Sequence, residues 1–134
     1  MRKALKIILL LVAMLASGSI LRAQNNGYDV FVPIAKYIVK GDVDALSAWF
    51  AQNLEVDIIS TSADCSRSQA KQILKSFFDS YTPRSFEIIH TAGKGNMKYA
   101  LGNLSAGGEN FLVTVFVGCK DGTFLIQQLK IERS

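Results

Sequence analysis

Three features of the sequence predict an α+β domain in which three N-terminal helices pack on a curved antiparallel sheet of four main strands plus one short strand. Residues 85–131 hold four apolar runs of strand length separated by Gly-rich turns. The longest of them, 109–119, alternates Phe111, Val113, Val115, Val117 and Cys119 against Leu112, Thr114, Phe116 and Gly118, the period of an extended chain. Residues 29–80 instead carry apolar side chains mainly at helical spacing, so a helical layer precedes a sheet that has to be covered.

The chain opens with an address. Arg2, Lys3 and Lys6 precede an uncharged apolar run at 7–16, and Leu21-Arg22-Ala23 offers a small residue before Gln24. This is the three-part layout of a secretory signal peptide over 1–23, with an apolar run too short for a comfortable membrane span. A periplasmic or secreted location follows, with one domain over 24–134. Four of the 15 basic residues fall in the leader, which leaves 11 basic against 11 acidic residues in the mature chain. The net charge of +4 therefore belongs to the targeting segment. It argues neither for nucleic acid nor for a membrane surface as partner once the leader is removed.

Asp29 is the expected cap of a first helix that tolerates Pro33 in its first turn. Phe31, Ile34, Ala35 and Ile38 form its stripe, and Gly41 ends it. Asp42 starts a second helix with Val43, Leu46, Trp49 and Phe50 inward. Residues 54–59 alternate as the short strand, and 60–64 turn the chain. Ser66 and Gln69 match a capping box, and Ala70, Ile73, Leu74, Phe77 and Phe78 make the third helix amphipathic before Pro83. The sheet then runs through 86–90, 97–104, 109–119 and 123–131. Lys120-Asp121-Gly122 supplies a tight hairpin turn. Both faces of 109–119 are largely apolar, which predicts a central strand covered on both sides.

Few residues offer chemistry. His90 is the single histidine, and as a general base it needs a substrate and an orienting carboxylate, for which Asp57 and Glu87 are the neighbours on offer. Its plainer reading is a partly exposed structural residue. Asp57 and Asp64 are further acid/base candidates, although Asp57 alternates to the solvent side of its strand and Asp64 reads as a turn residue. Cys65 and Cys119 form a candidate disulfide in an oxidising compartment, or else stay as buried thiols. Tyr99, Asn103, Phe116, Gln127 and Gln128 are candidate ligand contacts, because polar groups turned inward in late strands need partners. Tyr28, Tyr37, Tyr81, Trp49, Phe77 and Phe78 read mainly as core. One histidine without a ligand-spaced cluster predicts no metal, and nothing calls for a cofactor.

The order helix, helix, short strand, helix, strands resembles the cystatin-like cone fold of the nuclear-transport-factor-like superfamily. More narrowly the chain resembles the secreted domain-of-unknown-function family 4783. The matching stretches are Val30-Phe31-Val32-Pro33-Ile34-Ala35, Gly41-Asp42-Val43-Asp44-Ala45-Leu46, Ser68-Gln69-Ala70, Phe86-Glu87-Ile88-Ile89-His90, Tyr99-Ala100-Leu101-Gly102 and Phe124-Leu125-Ile126-Gln127-Gln128-Leu129-Lys130-Ile131. A strongly bent sheet leaves room for a conical cavity between itself and the helices, and the resemblance implies a homodimer through the exposed side of the sheet. It carries over no catalytic residue. The expectation is an exported, non-catalytic domain that binds a small apolar ligand or a protein partner. The alternative is a small isomerase- or hydrolase-like enzyme with Asp57 or His90 in the cone cavity, and a docking or adaptor role is a third reading.

Overall fold

The structure is a computed structural model that describes residues 28–134, so the expected signal peptide at 1–23 lies outside the described part. After a 3-10 turn at Tyr28–Val30 come helix α1 (Phe31–Lys40), helix α2 (Val43–Ser47), strands β1 (Phe50–Ile58) and β2 (Thr61–Ser66), and helix α3 (Arg67–Ser80). Strands β3 (Pro83–Lys94), β4 (Met97–Ala106), β5 (Glu109–Lys120) and β6 (Thr123–Arg133) complete the chain. No helix among the described residues is long and apolar enough to cross a membrane.

Two of the expected caps form. The Asp42 carboxylate accepts from the Ala45 N–H at 3.1 Å. Ser66 and Gln69 cap each other reciprocally, with Ser66 N–H donating to Gln69 Oε1 at 2.9 Å and Gln69 N–H donating to Ser66 Oγ at 3.2 Å. Gly41 closes α1 in the left-handed conformation, at φ 65°. Asp29 does not cap α1: it lies within the 3-10 turn, and Val30 occupies the cap position without a side-chain bond.

The expected sheet requires correction. It has six strands in the order β2-β1-β6-β5-β4-β3 and is mixed, because β1 runs parallel to β6 while the other neighbours are antiparallel. It is also open, ending in two free edges at β2 and β3, so the predicted cone fold is not formed. Two local misreadings account for the strand count. Phe50, assigned above to the second helix, begins β1, so α2 is only five residues long. The segment read as a turn at 60–64 is mostly strand β2, joined to β1 by a two-residue turn.

All three helices cover one face. Ile34, Ile38, Leu46 and Leu74 from the helices meet Phe50, Leu104, Phe111, Val113, Val115, Ile126 and Leu129 from the sheet in one core, each at most 2% exposed. Phe111 is its aromatic hub, with ring centroids 5.3 Å from Phe77 and 5.2 Å from Tyr81, both edge-on. The outer edge of the Phe86 ring lies so close to Gly102 that a Cβ there would fall 2.3 Å from it. Glycine at this strand position therefore makes room for an aromatic side chain from the neighbouring strand.

Candidate functional site

Strand alternation and pairing register decide which side chains share the face that no helix covers. Phe116 pairs with Tyr99 on β4 and Gln128 on β6; Gln128 pairs with Glu55 on β1, and Glu55 with Asp64 on β2. The next row runs His90, Leu101, Thr114, Lys130, Asp57 and Ser62 from β3 to β2. A third carries Glu87, Asn103, Leu112 and Glu132. Directly paired residues project to the same side of a sheet, so His90, Asp57, Asp64, Tyr99, Asn103, Phe116 and Gln128 all belong to this helix-free face.

Gln127 joins them through a break in register. Between Phe116 and Val117 of β5, strand β6 holds one extra residue, the two-against-one arrangement of a β-bulge. The bulge spoils the alternation expected of 127 and 128. Gln127 consequently lies against Gly118, where a Cβ would sit 3.2 Å from its Cγ and 3.2 Å from Met97 Sδ.

The face divides into an apolar centre and a polar end. In the centre, the tilted rings of Tyr99 and Phe116 lie with centroids 5.3 Å apart and His90 follows at 6.0 Å from Tyr99. Leu101 and Leu112 are half-buried beside them, Thr114 is 9% exposed, and Met97 is 52% exposed at the rim. The polar end is built on β1. Glu55 and Asp57 are two residues apart on one strand and so point the same way. One Gln128 amide donates to both, at 3.1 Å to Glu55 Oε2 and 2.8 Å to Asp57 Oδ2. The Ser62 hydroxyl donates to the other Asp57 oxygen.

This arrangement splits the two acids. A hydrogen bond with Asp57, then the charge of Asp57, raises Glu55 above the usual glutamate range; lost hydration and Asp64 add to the rise against the opposing bond from Gln128. At Asp57, burial works against ionisation, but hydrogen bonds from Ser62, Glu55 and Gln128 and the charge of Lys130 outweigh it and hold the carboxyl below its ordinary value. Beside this cluster lies an open depression of 570 Å³ lined by Asn53, Glu55, Asp64, Ser66, Gln69 and Gln127.

Several expectations change as a result. Asp57 and His90 lie outside the layer between helices and sheet, so the enzyme with either of them in a cone cavity is not the arrangement found. They are also apart, on β1 and β3 with β6, β5 and β4 between, and Asp57 is partnered by Gln128 and Ser62 instead. Asp64 belongs to β2 and is exposed. The candidate disulfide is not formed: both thiols are free, Cys65 buried on β2 and Cys119 half-buried on β5. With β1 and β6 between them, three strand spacings separate the pair by about 14 Å, twice the reach of a disulfide. No group of three or more His, Cys, Asp or Glu able to hold a metal occurs among the described residues. Glu55, Ser62 and Lys130 are the residues that the sequence reading missed. The i, i+2 spacing of Glu55 and Asp57 was the available signal.

This fold has counterparts among solved structures. A protein from Nostoc punctiforme with a cystatin-like fold superposes with TM-score 0.63 at 14% identity, over 78% of this chain and 72% of the other. The chain belongs to the family defined as a domain of unknown function, DUF4783, whose profile matches residues 31–132. A member from Bacteroides fragilis superposes with TM-score 0.73 at 24% identity, covering 77% of this chain and 97% of that one. Another from Bacteroides uniformis gives 0.73 at 19%, covering 76% and 94%. No curated protein matches the chain.

Proposed function

We propose that this is an exported, non-catalytic binding domain whose working surface is the helix-free face of the sheet, and that a second copy of the chain is its first partner. The observation that carries the reading is the centre of that face, where Tyr99, Leu101, Leu112 and Phe116 form a half-buried apolar patch around the buried Thr114 over two adjacent strands. An apolar surface of this kind, rimmed by polar residues, is the usual mark of an interaction site. A protein suits it better than a small apolar ligand, because the patch is spread across a sheet and the helix side is filled by its own core.

A two-fold axis through the apolar centre lets this one patch cover its own counterpart in a second copy. That axis lays the Glu55, Asp57 and Asp64 end over the β3 end, where Lys94 and Glu87 offset each other, so the pairing rests on the apolar centre rather than on charge. Sedimentation equilibrium tests this. The protein is expected to dimerise, and Phe116→Asp to be monomeric with an unchanged far-UV spectrum. A wild-type chain that stays monomeric at high micromolar concentration would overturn the proposal. Saturable uptake of an apolar probe by that monomer would favour the small-ligand reading.

A further inference from the structure

We infer that Met97 is an oxidation site that controls the docking face: as a thioether it extends the apolar patch, and as a sulfoxide it weakens the pairing of two copies. The inference rests on the docking reading given above. Residues 24–134 hold one methionine, since Met1 and Met14 both fall in the expected leader. Met97 stands on β4 two positions before Tyr99 and therefore on the helix-free face. It pairs with Lys94 of β3 and Gly118 of β5, one row beyond the pair formed by Tyr99 and Phe116.

Gly118 decides how the sulfur is presented. Because β5 offers no side chain in this row, the Met97 thioether folds across the bare strand, with Sδ 3.2 Å from the point where a Cβ of residue 118 would stand. The Gln127 side chain closes the same spot from β6, its Cγ also 3.2 Å from that point. One side of the sulfur is thus turned to the strand. The residue as a whole is 52% exposed, which leaves the other side open to a dissolved oxidant. The two thiols are placed differently. Cys65 is buried in the core, and Cys119, next after Gly118, points by alternation to the helical face and is half-buried.

The chemistry is a two-electron oxidation by a peroxide. A lone pair of Sδ attacks one peroxide oxygen, the O–O bond breaks as the S–O bond forms, and hydrogen peroxide is reduced to water while the thioether becomes a sulfoxide. A thiol-dependent reductase reverses the step: two thiols become a disulfide and the oxygen leaves as water. The sulfoxide is polar where the thioether was apolar. Formed on the open side of Sδ, its oxygen stands where the second copy docks. Burying such an acceptor without a donor weakens an association about tenfold, and a two-fold pair carries the change twice.

Sedimentation equilibrium tests this, on the chain carrying Cys119→Ser so that peroxide meets one exposed sulfur. After limited treatment with hydrogen peroxide, mass spectrometry is expected to find one added oxygen, on the tryptic peptide 95–98. The dimer dissociation constant is expected to rise about a hundredfold when both copies carry it, and methionine sulfoxide reductases are expected to restore the original value. Met97→Leu is expected to dimerise as the parent does and to ignore peroxide, whereas Met97→Gln, polar without oxidation, associates as weakly as the oxidised chain. Thermal unfolding of the monomer is expected to be the same before and after treatment. A dissociation constant unmoved by full oxidation of Met97, an equal rise in Met97→Leu, oxidation falling first on another residue, or a lowered unfolding midpoint overturns the control point alone. A reduced chain that stays monomeric overturns the docking reading and the control point together, so the two failures are told apart.

Discussion

Replacing Phe111 and Phe116 separately by Ala sets the two faces of one strand against each other. Both are phenylalanines on β5, five residues apart and on opposite sides of the sheet. Phe111 is 0% exposed and packs edge-on against Phe77 and Tyr81, with the Arg133 guanidinium 5.8 Å from its ring centre. Truncating such a ring costs about 3–5 kcal/mol through lost burial and the cavity left behind, and the two aromatic contacts place it at the upper end, about 4–5 kcal/mol. Phe116 is half-buried, and its ring meets that of Tyr99 alone among the described rings, at a tilt. Its truncation opens no enclosed cavity and costs the monomer about 1–1.5 kcal/mol. Urea unfolding at a concentration low enough to keep the chain monomeric measures both. The expected gap is about 3 kcal/mol, with Phe111→Leu, which keeps most of the volume, falling between them. Equal costs for the two alanines would refute the assignment of the faces.

Other outcomes follow from local geometry. Ile59 sits in the two-residue turn between β1 and β2 at φ 60°, a conformation that burdens a β-branched residue by about 1–2 kcal/mol; Ile59→Asn is expected to raise the urea midpoint, and a lowered midpoint would contradict the turn. Gly102→Ala places a methyl group 2.3 Å from the Phe86 ring and is expected to destabilise by about 1–3 kcal/mol, with much of the loss recovered when Phe86→Ala is added. Ser66→Ala removes the reciprocal cap of α3 and is expected to cost about 1 kcal/mol in thermal unfolding. Burial, then the Asp64 charge, pushes the Cys65 thiol up; an alkylating reagent at neutral pH is therefore expected to label the more accessible Cys119 first, and equal labelling rates would speak against the buried position.

The elements with strong periodicity were legible, and those without it were not. Residues 109–119 announce a strand because valines and phenylalanines alternate, and Ser66 and Gln69 announce the start of α3 by a paired cap. Strand β2 hides because its sequence, Thr61-Ser62-Ala63-Asp64-Cys65-Ser66, is polar and small. It is an edge strand that owes its existence to one neighbour rather than to its own alternation. Phe50 fits the stripe of a helix as well as the first inward position of a strand, and only the parallel contact with Ile126 decides between them. The mixed topology was out of reach for the same reason, since pairing between strands about 75 residues apart leaves no local trace.

The candidate site was half legible. Tyr99, Asn103 and Phe116 were found by alternation, which also places them on one face. Their common face with Asp57 and His90 required the register across all six strands. Gln127 and Gln128 escaped the alternation rule because of the bulge. Glu55 was passed over because an isolated acid in a short strand looks like solvent-facing charge; its meaning comes from Gln128, 73 residues away.

The most direct test of the docking surface is hydroxyl-radical footprinting of the protein at nanomolar and at high micromolar concentration. The docking account predicts that Met97, Tyr99 and Phe116 become protected at the higher concentration, while Val32 and Tyr37 on the helical side are oxidised equally at both. Protection confined to the helical side, or none on either face, would contradict it.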